Sequence, residues 1–332
     1  MNAPARPGPV RLAEAARLAP AFDADRLSRE LAAVTGHRWQ PQRIHAPGGR
    51  IGQATAIDWR VLPLRSPGGD GERTDPGGPG PVDFAPTPWL DRLPYLREIL
   101  AGIPAPLNAV RLMALGPGAA SQPHCDPKYR LDRGFVRLHI PIVTHPEAVL
   151  VLDGAEHCWQ PGEFWYGDFS REHLVRNTGD RVRVHTVIDA LLTEELVDLF
   201  PTAWQAALAE ADVLFNGSNP QAAAFPIPLP YSVLLPSGFT DFDHADPLEG
   251  QLQPAQITQQ PDSLLTLTTA GRILALAPTG AGEYRFAGWS EQRTLTPTAD
   301  GVLLHVRRGR TTVHRHLPAA TTATDQPGGH QP

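Results

Sequence analysis

The strongest constraint on this fold is a rhythm. Between residues 110 and 190 short apolar runs recur at close spacing, at 110–115, 136–143, 149–152, 164–169 and 182–190. Turn residues separate them: Gly116-Pro117-Gly118, Asp153-Gly154, Pro161-Gly162 and Thr178-Gly179-Asp180. Runs this short are too brief for helices and too close together for crossover helices between parallel strands. They predict a sandwich or barrel rather than a doubly wound sheet.

Within these strands the residues alternate in character. Arg137 and His139 share one face, while Leu138, Ile140 and Ile142 face away. Arg181, Arg183 and His185 share another face, with Val182 and Val184 opposite. Side chains alternate across a strand, so a barrel with a polar lining and an apolar outer face is expected. The plainer alternative is a solvent-facing sheet carrying scattered histidines.

His124 and Asp126 stand two residues apart, which on an extended chain places both on one side. With a third ligand downstream, for which His173 is the candidate, they make two imidazoles and one carboxylate. That set suits non-haem Fe(II) and leaves positions open on the metal. A His-x-Asp pair alone is weak evidence in a chain with 13 histidines, and a second one exists at His244-Ala245-Asp246. The first pair has Arg183 ten residues beyond His173, where a hairpin returns a guanidinium to the level of the metal. A guanidinium offers a carboxylate two parallel hydrogen bonds. The second pair lies in an acidic loop beside no strong strand and is read as a solvated turn, with His305 and Arg315 as its only conceivable company.

The remaining chain frames this stretch. Residues 1–20 are expected as a flexible leader, with 12–18, short and rich in alanine, forming one or two helical turns. Asp23 or Asp25 caps a helix through Leu27, Leu31 and Val34 that Gly36 stops. Residues 43–45 and 57–64 alternate as strands. The Gly/Pro/Asp stretch 66–81 has two readings, a flexible linker or a lid or binding loop. Residues 87–100 carry Trp89, Leu93, Leu96 and Leu100 at helical spacing. A helical run follows Thr193, through Leu196, Leu199, Phe200, Trp204 and Leu208.

These divisions give a main domain over 21–215, a Pro-rich connection over 216–262, a small β-rich module over 263–318 and a tail over 319–332. The formal net charge of -6 offers no broad attraction for nucleic acid. The local cluster Arg307, Arg308 and Arg310 is read as a charged edge strand. Two cysteines cannot build a disulfide framework. No apolar stretch has the length of a membrane span, and the start of the chain lacks an apolar signal core. A cytoplasmic protein is the expectation, and its oligomeric state is left open.

The motif set Arg111-Leu112-Met113, Leu115-x-Pro117-Gly118, His124-x-Asp126, Arg137-Leu138-His139-Ile140-Pro141-Ile142, Gly162-Glu163-Phe164-Trp165, Asp168, His173, Asn177, Arg183-Val184-His185 and Ile188-Asp189 resembles the aspartyl/asparaginyl β-hydroxylase family. Within it the bacterial proline cis-hydroxylases look most similar. The resemblance covers roughly residues 45–200. It implies a mainly β, double-stranded β-helix (jelly-roll, cupin-like) core with flanking helices, and the use of Fe(II), 2-oxoglutarate and O2. It also implies His124, Asp126 and His173 as iron ligands and Arg183 as the anchor of the distal carboxylate of 2-oxoglutarate. Arg137 and His139 would lie near the other end of that co-substrate. Cys125, between two ligands, is expected to point away and pack.

The function so implied is hydroxylation of an unactivated C–H of an amino acid, free or peptide-borne. A cupin-type oxygenase or isomerase without 2-oxoglutarate and a non-catalytic binding barrel are the competing readings. The region beyond about residue 215 matches nothing in the family and is read as a structural cap or dimerisation surface, or else as a peptide-holding surface.

Overall fold

The computed structural model describes residues 12–46, 50–217, 225–261, 264–280 and 282–319. Most of the expected leader and all but the first residue of the expected tail lie outside them. Among the described residues no helix is long and apolar enough to cross a membrane.

The first half builds thirteen strands. They are β1 (Ala15–Ala21), β2 (Gln40–Pro41), β3 (Arg43–Ala46), β4 (Arg50–Ala54), β5 (Trp59–Pro67), β6 (Phe84–Pro86) and β7 (Leu107–Leu115). After these come β8 (Phe135–Val143), β9 (Ala148–Leu152), β10 (Ala155–His157), β11 (Glu163–Gly167), β12 (His173–Asn177) and β13 (Arg183–Leu191). One sheet runs β1-β11-β8-β13-β7-β5-β2, with β6 beside β5. The opposing sheet runs β10-β9-β12. The irregular stretch before Asp126 extends it, because Ala120 bridges Arg176 and His124 bridges His173. Two antiparallel sheets so arranged form the expected double-stranded β-helix, or jelly roll.

The main core lies outside the larger sheet. Leu138, Ile140, Val184 and Ile188 point that way, against Leu27 and Leu31 of helix α1 (Ala24–Ala32), Leu96 and Leu100 of α2 (Pro94–Ala101) and Leu196 of α3 (Glu194–Val197). Leu208 of α4 (Thr202–Glu210) joins the same cluster. Asp23 caps α1 by accepting the Arg26 amide at 2.9 Å, and Thr193 caps α3 in the same way at 3.1 Å. Each fills one of the open donors of a first helical turn. With the apolar face spent on the helices, the opposite face of β7, β8 and β13 is free to line the barrel interior.

Three expectations need correction. The alanine-rich start is not helical: Ala15–Ala21 is an edge strand paired with β11, burying Ala16 and Leu18. Pairing to an open sheet edge outweighs weak helical propensity. The helix expected over 87–100 begins only at Pro94, whose ring suits a first helical position. The run after Thr193 breaks at Pro201 into α3 and α4.

The second half contains α5 (Ser237–Thr240) and eight more strands. They are β14 (Tyr231–Pro236), β15 (Leu252–Gln259), β16 (Leu265–Thr269), β17 (Arg272–Gly280), β18 (Glu283–Phe286), β19 (Arg293–Thr298), β20 (Gly301–Arg308) and β21 (Thr311–Pro318). They form an antiparallel meander in chain order. Val233 of β14 bridges Ala319, just beyond β21, so the meander returns on itself. Val233, Leu235, Ile257, Leu267, Leu295 and Leu304 fill its interior. It starts at Tyr231, inside the stretch expected as a Pro-rich connection.

This second barrel is packed onto the first. Trp289 meets Phe135 edge-on at 5.2 Å between ring centroids. The Ser290 hydroxyl donates to the Arg133 carbonyl at 2.6 Å, and Arg308 pairs with Asp132 at 3.0 Å. The Ala275 amide donates to the Gly80 carbonyl at 2.7 Å. Gly80 belongs to the 66–81 loop, which is therefore held between the two barrels. Gly288 (φ 79°) is required there, since a side chain would meet the Gly78 carbonyl at 2.6 Å.

Candidate metal and co-substrate site

The jelly roll brings the predicted triad together. The ligand atoms of His124, Asp126 and His173 all lie within 4.8 Å of one another, and among the described residues no other such group of histidine, cysteine and carboxylate side chains occurs. The amide of each histidine donates to the carbonyl of the other, at 3.0 and 2.9 Å. Each ring is then fixed by its own backbone: His124 Nδ1 donates to the Gln122 carbonyl at 2.8 Å, and His173 Nδ1 to the Arg171 carbonyl at 2.9 Å. A carbonyl only accepts, so both Nδ1 atoms carry the proton and both Nε2 lone pairs are left for a metal. Burial lowers the His173 pKa, which favours the neutral ligand form. This donor set fits a divalent iron.

Asp126 is oriented by Arg137, whose Nη1 lies 2.6 Å from Asp126 Oδ2. The same guanidinium pairs with Asp189 through Nε at 2.7 Å. Asp189 is the hub of a wider cluster, accepting from Arg111 at 3.0 Å and from the Tyr129 hydroxyl at 2.7 Å. It is 1% exposed. Burial alone would raise its carboxyl, but Arg137 and Arg111 overcome that and hold it at about 2. Strand register explains the meeting: Asp189 of β13 stands opposite Arg137 of β8, and Arg111 of β7 opposite Val187.

Further along the same face sit Arg183 and His185. Arg183 is 4% exposed, and among the described residues no carboxylate pairs with it. Its one hydrogen bond is from Nη2 to His185 Nδ1 at 2.8 Å. Burial pushes its pKa down to about 9, with only Cys158 opposing, so it is a cation at neutral pH. Beside it His139 is 5% exposed and stacked on Phe169 at 5.0 Å. Among the described residues neither ring nitrogen of His139 has a hydrogen-bond partner. Burial, then Arg183 and Arg137, drive its pKa well below the usual histidine range. A buried cation and a buried imbalance of donors are costly unless something binds them. The orphaned Arg183 and His139 thus fit a carboxylate-bearing co-substrate.

The triad, Arg137, His139 and Arg183 line one cavity of about 750 Å³. Its inner part is bounded by Arg183, His139, Met113 and Val187, and the triad opens onto it. Pro76 to Pro79 also line it, which favours the binding-loop reading of that segment. Its outer wall comes from the second barrel, through Phe242, Trp289, Arg293 and others.

Other expectations fare differently. Asp168, Asn177 and Glu163 do local structural work: Asp168 holds Arg171 and Ser170, Asn177 holds the 177–181 turn, and Glu163 holds Trp165 and Arg17. Cys125 is exposed rather than packed, because its stretch pairs with β12 only at isolated bridges. In the second His-x-Asp pair, His244 Nδ1 accepts the Asp246 amide at 3.1 Å, and His305 contacts His314 instead. Arg111 stands in the family-like motif without an assigned role, and Tyr129 stands outside it. The parity of Arg111 with Met113 on β7 was the signal available for Arg111; nothing local flags Tyr129.

A family model described as aspartyl/asparaginyl β-hydroxylase matches residues 22–192. A search of curated proteins found no match. Similar solved structures include a 2OG-Fe(II) oxygenase family oxidoreductase from Burkholderia pseudomallei, 13% identical, covering 51% of this chain and 80% of that one with a TM-score of 0.34. A prolyl-4-hydroxylase from Pseudomonas putida is 16% identical over 54% of this chain and 91% of that one, TM-score 0.32. A cupin domain from Bordetella pertussis is 19% identical over 25% and 79%, TM-score 0.20.

Proposed function

The chain belongs to the aspartyl/asparaginyl β-hydroxylase family, and from that premise we propose that it hydroxylates an unactivated C–H of an amino acid, free or peptide-borne, using Fe(II), 2-oxoglutarate and O2. His124, Asp126 and His173 would hold the iron. With 2-oxoglutarate and O2, bound iron supplies the oxidising power for C–H hydroxylation, releasing succinate and CO2.

The chain's own residues set the conditions. His124 and His173 present neutral Nε2 donors because their Nδ1 protons are committed to backbone carbonyls. Arg137 keeps Asp126 turned, and its own charge is sustained by Asp189. Arg183 would take the distal carboxylate of 2-oxoglutarate, with His139 and Arg137 toward the other end. The apolar walls from Met113, Val187 and Leu150 exclude water from that inner space.

The observation that carries this reading is Arg183, a buried guanidinium with an imidazole but no carboxylate for company. It also weighs against a cupin-type enzyme that dispenses with 2-oxoglutarate, for which such a group would be a cost without a use. The test is incubation with Fe(II), ascorbate and 2-oxoglutarate against a panel of amino acids and peptides. Substrate-dependent succinate is expected; a complete absence of succinate would remove the proposal.

A further inference from the structure

The cavity is far more cationic than the chain. Ten arginine and lysine side chains line it against three aspartates, although the formal net charge is -6. Several of the ten are already matched. Arg111 and Arg137 face Asp189, Arg307 faces Glu283 at 2.6 Å, and Arg308 faces Asp132. Arg183, at the inner end, is reserved for the co-substrate under the reading above.

Five remain. Arg43 is exposed and Arg272 donates to the Thr240 carbonyl at 2.7 Å, which leaves Lys128, Arg133 and Arg293 at the seam between the two barrels. Lys128 Nζ is buried with no hydrogen-bond partner. It is enclosed by the rings of Phe135, Trp289 and Tyr129, at 4.8, 5.6 and 5.7 Å from their centroids. Arg133 is half-buried, and its guanidinium has no acceptor among the described residues. Arg293 is 2% exposed; it ties down the 238–244 loop by donating to the carbonyls of Gly238, Asp241 and His244, yet its Nε has no acceptor. Arg133 is close enough for its charge to bear on Arg293, against the opposite pull of Asp241 and Asp243. Like charges gathered in a partly buried cleft repel one another unless an anion sits between them.

Resting on the 2-oxoglutarate reading, we propose that this seam anchors a free carboxylate of the substrate, with Lys128 and Arg133 as its cationic grip and Arg293 fixing the loop beside it. The second barrel is then part of the active site rather than a distant cap. A free amino acid, or the C-terminal residue of a peptide, carries such a group. An internal residue of a peptide does not carry it on its backbone. The charges favour this assignment. Asp189 and Asp126 bear on Lys128, Asp132 on Arg133, and Asp241 and Asp243 on Arg293, but among the described residues none of these carboxylates hydrogen-bonds the Lys128 ammonium, which keeps its donors open for an anionic substrate. The aromatic box holds the lysine by cation–π attraction, and its flexible stem lets the ammonium leave that box for a stronger, charge-assisted partner.

The test uses the full chain loaded with Zn(II), a diamagnetic and redox-inert substitute, plus 2-oxoglutarate, and saturation-transfer NMR. The probes are the amino acids and their N-acetyl derivatives, without aspartate and glutamate, against the same compounds as C-terminal amides. At least one acid is expected to bind, with its amide weaker by about tenfold or more, as loss of a charge-assisted pair implies. Lys128→Met and Arg133→Gln should each weaken that acid several-fold while 2-oxoglutarate binding stays unchanged. Lys128→Met should not lower the melting temperature, since a thioether suits three aromatic rings. Equal binding of acid and amide overturns the proposal. So does acid binding indifferent to both variants, or the absence of any bound acid. A Lys128→Met protein that melts earlier but binds the acid normally would mark the lysine as a strut and also overturn it. Failure of 2-oxoglutarate itself to bind removes the co-substrate reading, and the acid–amide comparison still decides the seam.

Discussion

Arg137 and Arg183 are both buried guanidiniums on the same interior face, and their surroundings are opposite. Arg137 is held by two carboxylates, and those charges outweigh its burial and raise its pKa. Arg183 has one neutral imidazole, and burial lowers its pKa. The first is a finished structural pair that aims Asp126, the proposed carboxylate ligand. The second is unfinished, and its missing partner is the place for a ligand. A buried ion pair broken on one side costs several kcal/mol, whereas a lone buried cation costs stability that binding can return. Substitutions at the two should therefore act in opposite directions.

The largest effect is expected at the metal. Asp126→Ala should reduce succinate formation to background and lower the iron bound per chain, read by metal analysis; full turnover would refute the ligand assignment. Next, Asp189→Asn should destabilise the fold by about 3–5 kcal/mol, because it strands Arg111 and Arg137 without their shared anion. Chemical denaturation measures this, and a loss under 1 kcal/mol would mean that the cluster is not holding the barrel. Arg183→Met should instead leave stability unchanged or raised, while 2-oxoglutarate affinity falls by about 2–3 kcal/mol, or about 30- to 150-fold. Calorimetric titration separates the two readouts.

The same hub gives a pH signature. The folded Asp189 carboxyl sits near 2, below its ordinary value of 3.8. Its contribution of about 2 kcal/mol is fully present above pH 4 and is lost as pH falls toward 2. Asp189→Asn should flatten that part of the stability curve. Smallest of all, His244→Ala should leave the iron bound per chain unchanged, since His244 serves a local turn.

Much of the inner site was legible because strand parity is a local property. Arg137 with His139 and Arg183 with His185 follow from alternation alone, and His124 with Asp126 follows from spacing. Meetings across the sheet were less visible. Asp189 reaches Arg111 and Arg137 through strand register that only the assembled sheet fixes. Tyr129 arrives from a loop with no periodic signal. The start at β1 was misread because an alanine-rich stretch becomes a strand only when β11 offers it an edge. The second barrel was seen as hairpins, but its extent was not. Pro236 and Pro254 fall in β14 and β15, and proline argues against strands in sequence. Its closure, Val233 to Ala319, joins residues far apart in the chain. Lys128 and Arg133 have no meaning until Trp289 and Arg293 are brought beside them.

The central claim is that one cavity holds Fe(II) on His124, Asp126 and His173 and 2-oxoglutarate on Arg183. It is tested most directly by adding 2-oxoglutarate anaerobically to the Fe(II)-loaded protein and recording visible absorption. A charge-transfer band that saturates with 2-oxoglutarate, vanishes in Asp126→Ala and needs far more 2-oxoglutarate in Arg183→Met is the predicted result. No band in the iron-loaded wild type, or one that forms equally well in Arg183→Met, would contradict it.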